Sequence, residues 1–164
     1  MNELVSIVIP VFNAQKHIEN TINSVLKQTY SNWELIIIDD CSTDNSFSIV
    51  RNKYNDSDKI RIIKLDNNSG GPAKPRNIGI RNSNGEFIAF LDQDDIWDKN
   101  KLTNAIKLIA KNNADAYSCS VTAFWEDGKT KLISQSSEIS DIDYLLEGAG
   151  QGCTFVMTSN FFEI

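Results

Sequence analysis

Asp92, Gln93, Asp94 and Asp95 follow directly on an apolar run, Phe87-Ile88-Ala89-Phe90-Leu91, and are the residues best equipped for chemistry in this chain. The run lacks polar alternation, as a strand buried on both faces does. If the chain stays extended past it, positions two apart point the same way, so Asp92 and Asp94 converge on one point. Two carboxylates about 4 Å apart repel by roughly 1 kcal/mol in water and roughly 4 kcal/mol at a partly buried site. A divalent cation with oxygen ligands offsets that repulsion. Mg²⁺ or Mn²⁺ held by one or two carboxylates commonly takes its remaining ligands from a diphosphate. Aspartates at a strand end also make turns and cap the next helix, and Asp98 to Ala110 reads as such a helix. On this segment alone both readings stand.

A phosphate-bearing ligand would need local cations, because the 164-residue chain carries a formal net charge of −6. No run of basic residues occurs, which argues against nucleic acid as a partner. One segment gathers cations beside glycines: Asn68-Ser69-Gly70-Gly71-Pro72-Ala73-Lys74-Pro75-Arg76-Asn77, which opens a helix. Glycines permit close approach of backbone to ligand, and Lys74 and Arg76 supply charge. The segment is neither a P-loop nor a GxGxxG fingerprint, and a plain connecting loop with surface cations is the competing reading.

The elements that must position these groups alternate regularly. Leu4 to Val11 reads as a strand and His17 to Gln28 as a helix with Ile18, Ile22, Val25 and Leu26 at helical spacing. Trp33 to Ile38 is a second strand, closed by Asp39-Asp40. Thr43 to Tyr54 is a helix with Ser42 or Thr43 as its cap. Ile60 to Leu65 is a third strand, Asp66 to Pro75 a loop, Arg76 to Asn82 a short helix, and Phe87 to Leu91 the fourth strand. Ala114 to Trp125 reads as one further strand, turned by Glu126-Asp127-Gly128 into Lys131 to Ile133 as a hairpin. Strands alternating with helices predict an α/β fold: a mostly parallel, Rossmann-like sheet with helices on both faces. Ligands of such sheets bind beyond the carboxyl ends of the strands. Asn13, Asp39-Asp40, Asp66-Asn67-Asn68 and Asp92 to Asp95 all fall at those ends.

The length and the apolar and charged fractions of 41% and 23% fit a single globular domain over residues 1–164. Cys41, Cys119 and Cys153 are odd in number, form no CxxC pair and match no zinc pattern, so reduced thiols without a catalytic part are expected. His17 is the only histidine, which excludes a histidine-built metal centre and disfavours a Ser-His-Asp triad. Neither a signal peptide nor an 18-residue apolar run is evident. The expected location is cytoplasmic, with peripheral association at the inner face of the membrane allowed.

Four segments together resemble one family, the family 2 glycosyltransferases with the GT-A (nucleotide-diphospho-sugar transferase) fold. They are Ser6 to Asn13, Ile38 to Asp44, Asn68 to Gly79, and Phe90 to Asp95. The resemblance is firmest over residues 4–110. It implies an inverting enzyme that moves a sugar from a nucleotide diphosphate donor, with uridine diphosphate sugars the first expectation, to a saccharide, lipid-linked or protein acceptor. It also implies a divalent metal, Mn²⁺ or Mg²⁺. Pro10 and Phe12 would lie against the base, Phe12 standing where a tyrosine is usual. Asp40 would accept from the edge NH of the base, whereas Asp39 would be structural. Arg76 matches the arginine of the Gly-rich loop, with Lys74 as an addition, and Pro75 replaces a more usual small residue. Asp92 and Asp94 match the DxD aspartates, the first contacting the ribose and the second holding the metal against the diphosphate. Cys41 takes a slot where glycine is common.

The sequence departs from the family at the acceptor side. The general base is normally an aspartate past the loop that here reads Gly148 to Thr154, where this chain has Glu163 as the sole acid. Asp141, Asp143 and Glu147 read as solvent-facing or capping residues. The expectation is therefore an N-terminal, donor-binding portion truncated before a base beyond Ile164, with apolar Phe155, Phe161 and Phe162 favouring self-association as a homo-oligomer. A non-catalytic nucleotide-sugar-binding fragment is the alternative. A phospho-acceptor signalling domain would need an acidic pair after the first strand, where Asn13 stands. A nucleotidyltransferase would want a basic Gly-rich loop there.

Overall fold

Continuous apolar runs become the central strands. The computed structural model describes residues 2–119, 121–124, 129–134 and 155–162. Its elements are β1 (Val5–Val11), α1 (Ile18–Leu26), β2 (Trp33–Asp39), α2 (Ser46–Tyr54), β3 (Ile60–Lys64), α3 (Ala73–Arg81) and β4 (Phe87–Phe90), then α4 (Lys101–Asn112), β5 (Ala116–Ser118), β6 (Val121–Phe124), β7 (Thr130–Ser134), β8 (Phe155–Thr158) and a closing 3-10 turn, Ser159–Phe162. The main sheet runs β3-β2-β1-β4-β8-β5. The first four are parallel, with Ile7 of β1 opposite Leu35 on one side and Ala89 on the other.

Every residue of β1 is buried, so its two faces feed two cores. Val5, Ile7, Ile9 and Val11 pack in one cluster with Ile18, Ile22 and Val25 of α1, Val50 of α2, and Leu102 and Ile106 of α4. Val8, Ile88 and Phe90 join Ile80 of α3 and Met157 of β8 in the other. Helices α1, α2 and α4 therefore cover one face and α3 the opposite one. Burying each such aliphatic side chain is worth about 1.5–3 kcal/mol. The α3 contact is unusually close: a Cβ on Gly79 would meet Val8 Cγ1 at 2.3 Å, so only glycine lets this helix sit at that height.

Several expectations need correction. Ala114 to Trp125 is not one strand: β5 and β6 belong to different sheets, and β6 pairs antiparallel with β7. The turn Glu126 to Gly128 lies outside the described residues. Phe155–Thr158, to which the sequence assigned no element, is a strand, and a 3-10 turn follows it at Ser159–Phe162. β8 inserts antiparallel between β4 and β5, with Val156 opposite both Ala89 and Tyr117. It covers an edge of β4 that would otherwise expose unpaired backbone groups. Helix α3 begins at Ala73 rather than Arg76, because proline is tolerated in a first turn, where its missing N–H has no intrahelical partner to lose. Ser42 and Thr43 do not cap α2. Asp44 does related work, its Oδ1 accepting the N–H of Ser46 at 2.9 Å. Leu26 is exposed rather than core. Asp141, Asp143, Glu147, Gly148 to Thr154 with Cys153, and Glu163 lie outside the described residues, as do the side chains of Phe155, Phe161 and Phe162.

Candidate functional site

The strand order reverses between β1 and β4, and a cleft of about 420 Å³ opens at the carboxyl ends there. It is lined by Pro10, Val11 and Phe12 after β1, Asp40 after β2, Asn68, Gly70, Gly71, Pro72, Pro75 and Arg76 of the Gly-rich loop and α3, and Asp92 to Asp94 after β4, which form its acidic rim. Phe12 is 41% exposed, a large apolar surface at the mouth of the cleft. Of the residues singled out in the sequence, Pro10, Phe12, Asp40, Arg76, Asp92 and Asp94 line it together. Lys74 is exposed and does not line it.

The loops around the cleft are tied to one another by side chains. Asn13, in the left-handed region at φ 52°, accepts at Oδ1 from the N–H of Thr43 at 2.9 Å, while its own N–H donates to Ser42 Oγ at 3.0 Å. Ala14 N–H donates to the buried Ser46 Oγ at 2.7 Å. Asp44 accepts from Ser46 and from the Gln15 N–H. Burial pushes its carboxyl up, but those hydrogen bonds outweigh burial and hold it below the usual carboxylate range. Asparagine and aspartate here lock the loop after β1 onto the loop after β2.

Asp39 and Asp40 differ in role. Asp39 is buried, with Oδ2 accepting the Ser42 N–H at 3.1 Å and Oδ1 left without a partner. It does not line the cleft, in keeping with a structural part. Asp40 accepts from the Ser69 N–H at 3.0 Å and from the Ser69 hydroxyl at 2.8 Å. An ionised carboxylate has about four acceptor sites, so one donor more can be accommodated. Asn68 adds to the clasp, donating from Nδ2 to Asp40 O at 3.1 Å and accepting the Gly70 N–H at 2.8 Å. Gly70 has φ 81°, a conformation that favours glycine. Cys41, at φ 62°, donates from Sγ to Asp66 O at 3.5 Å. That φ is the physical reason a glycine suits its slot. Cys41 and Cys119 are free thiols; Cys119 Sγ accepts from Lys101 Nζ at 2.9 Å.

At the rim the extended geometry expected for Asp92 and Asp94 is replaced by a turn, closed by the Asp95 N–H donating to Asp92 O at 3.1 Å. Asp92 Oδ1 accepts from Arg76 Nη2, and Arg76 Nε is buried without a partner. Asp94 is exposed. Gln93, to which the sequence assigned no role of its own, holds the turn through two contacts. Its Oε1 accepts the Phe12 N–H at 2.7 Å, and its backbone O accepts the Thr21 hydroxyl at 2.8 Å. Ser69 was missed as well. Neither carries a sequence signal, since their partners lie on other elements of the chain.

No group of three or more His, Cys, Asp or Glu side chains is poised for a metal among the described residues. The donor set at the rim is two carboxylates, one already paired to Arg76. That suits a hard divalent ion which completes its shell from ligand phosphates and water. No helix among the described residues is long and apolar enough to cross a membrane.

The sequence pattern described as Glycosyl transferase family 2 matches residues 6–161. Curated relatives include the UDP-Glc:alpha-D-GlcNAc-diphosphoundecaprenol beta-1,3-glucosyltransferase WfgD of Escherichia coli, 48% identical over 94% of this chain and 59% of that protein. They also include the poly(ribitol-phosphate) beta-N-acetylglucosaminyltransferase TarS of Staphylococcus aureus, 38% identical over 67% of this chain and 19% of that protein. Among solved structures, TarS 1–349 in complex with UDP superimposes with a TM-score of 0.79 at 28% identity, over 97% of this chain and 48% of that one. The same fragment is solved with UDP-GlcNAc, also with a TM-score of 0.79. The chain spans less than two thirds of each of these proteins.

Proposed function

This chain belongs to glycosyl transferase family 2, and on that premise we propose that its cleft binds a uridine diphosphate sugar as the donor side of an inverting sugar transfer. The acceptor is a saccharide or a lipid-linked saccharide. The observation that carries the reading is that four separate strand-end segments converge on one cleft and bring it an apolar wall, a buried carboxylate, one guanidinium and two further carboxylates. UDP and UDP-GlcNAc in the TarS structures and the UDP-glucose named for WfgD support uridine as the base.

In this reading Pro10 and Phe12 give the base an apolar surface to lie on, and Asp40 accepts from its edge NH. Arg76 turns from Asp92 toward the diphosphate, where a guanidinium meets phosphate oxygens bidentately. Asp92 reaches the ribose. Asp92 and Asp94 would hold Mn²⁺ or Mg²⁺, which supplies Lewis-acid neutralisation of charge on the leaving diphosphate. Inversion requires a carboxylate to take the proton of the acceptor hydroxyl on the face opposite the leaving group. Among the described residues lining the cleft, the only carboxylates are Asp40, Asp92 and Asp94, and all three have donor-side tasks.

A thermal-shift panel of nucleoside diphosphates and their sugars, with and without Mn²⁺, tests the proposal. UDP and UDP-sugars should raise the melting temperature more than ADP or GDP, and more with metal. No shift with any nucleotide would refute it.

A further inference from the structure

Resting on the donor-site reading above, we propose that the polar face of α1, Thr21 and Ser24 continued by Gln28, is a positioning device for the aspartate turn at the rim. These residues lie outside the sequence segments that suggested the site, and none of them lines the cleft. They are nonetheless buried, at 1%, 5% and 9% exposure. Spaced three and four apart, they form one stripe beside the apolar stripe of Ile18, Ile22 and Val25. A polar stripe that is buried needs partners, and its partners are the backbone of the segment that follows β4.

The Thr21 hydroxyl donates to Gln93 O at 2.8 Å. Ser24 Oγ accepts the Trp97 N–H at 3.1 Å while donating to Thr21 O at 2.7 Å. Gln28 Nε2 donates to Asp98 O at 2.7 Å, and its Oε1 accepts the Leu102 N–H at 3.1 Å. Just past the helix, the Thr29 N–H donates to Lys99 O at 2.8 Å. The loop from Gln93 to Lys99 is thus fastened along the length of α1, and α1 itself is anchored to the sheet through its isoleucines. At the cleft end, Gln93 transmits the anchorage to β1 through the Phe12 N–H. Asp92 and Asp94 flank Gln93 on either side. Their carboxylates depend for position on a peptide held by Thr21, because β4 itself ends at Phe90. A metal site resting on these two carboxylates, with no cluster of three candidate ligands among the described residues, would need that peptide held still.

The test titrates UDP by calorimetry with excess chelator and again with Mn²⁺. It compares the wild type with Thr21→Val, Thr21→Ser and Ser24→Ala, each checked by its melting curve. Thr21→Val should lower the enhancement of affinity by Mn²⁺ by about three- to tenfold, the worth of one hydrogen bond. Metal-free affinity should fall less, because without metal only the Asp92 contact with the ribose and the Gln93 tie to Phe12 are at stake. Thr21→Ser should retain the enhancement, and Ser24→Ala should lose part of it. Full enhancement in a folded Thr21→Val protein overturns the inference, as does an equal loss with and without metal. Should Thr21→Val not fold, Ser24→Ala decides alone, full enhancement in it being the overturning result. A wild type that binds UDP without any metal enhancement overturns the metal reading and this inference with it. Enhancement that survives in full in Thr21→Val and Ser24→Ala overturns this inference alone.

Discussion

Arg76 in the first turn of α3 donates its Nη2 to Oδ1 of Asp92 in the turn after β4, linking the two segments that the sequence had suggested for phosphate and for metal. The pair is only partly exposed, at 24% and 31% of the two side chains, and the Arg76 Cζ also lies 5.7 Å from the centre of the Phe90 ring. Each group thereby meets an opposite charge, while Arg76 Nε is left without a partner. A diphosphate that draws Arg76 away would free Asp92 for a cation, so nucleotide and metal should favour each other's binding through this pair.

Replacing Arg76 with methionine keeps most of the stem and removes the charge. UDP affinity in the presence of Mn²⁺ is expected to fall about 10- to 100-fold, since a hydrogen bond to a charged group is worth about 1.5–3 kcal/mol. Arg76→Lys should recover only part of it, because an ammonium lacks the planar fork. Calorimetric affinities indistinguishable from wild type would remove Arg76 from the diphosphate site.

Gly79 sets the height of the helix that carries Arg76. With a new Cβ at 2.3 Å from Val8 Cγ1, Gly79→Ala should destabilise the fold by about 1–3 kcal/mol through overpacking. The second change Val8→Ala should return part of that loss. Denaturant melts of the single and double variants measure it, and strictly additive losses would show that the two do not clash.

The Asp44 carboxyl is held below its ordinary pKa in the folded protein. A depressed folded pKa contributes stability above the unfolded value, and that contribution disappears as pH falls through the folded one. Stability should therefore decline with acid over the range from just above the ordinary aspartate pKa downward. Asp44→Asn should flatten that decline. Parallel acid limbs for the two proteins in melting experiments would contradict the assignment.

Cys41 sits at φ 62°. Cys41→Gly should therefore be tolerated with UDP affinity intact, whereas Cys41→Val should cost about 1–3 kcal/mol from left-handed backbone strain. Replacing Cys41 and Cys119 together with serine should leave UDP affinity alone. A large loss of affinity in a folded protein would give a thiol a part that its surroundings do not suggest.

Much of this architecture can be read from local pattern. β1, β2 and β4 were legible because each is a nearly continuous apolar run and β3 because it is a short isoleucine-rich one, and their parallel order followed from the helices between them. The acidic and Gly-rich segments were legible as neighbours because parallel topology carries every strand end to one side. What escaped the reading depends on distant partners. Phe155 to Thr158 becomes a strand only because β4 and β5 present edges to it, and nothing in its own pattern says so. Pro75 looked like a loop residue, although a first helical turn accommodates it. Thr21, Ser24 and Gln28 carry no local signal of their part, because the loop that buries them arrives some seventy residues later in the chain. Asp92 and Asp94 were expected to converge by strand alternation. They line one cleft instead through a turn that Gln93 and Thr21 hold.

The most direct test of the central claim, that this cleft holds a uridine diphosphate group with a divalent ion between it and the rim aspartates, is one calorimetric comparison. UDP is titrated into the protein with Mn²⁺ and then with excess chelator, for the wild type and for Asp94→Asn. The account predicts clearly tighter binding with Mn²⁺ in the wild type, and loss of that difference in Asp94→Asn with chelator-state affinity retained. Equal affinity with and without metal in the wild type, or an Asp94→Asn protein with full metal enhancement, would contradict it.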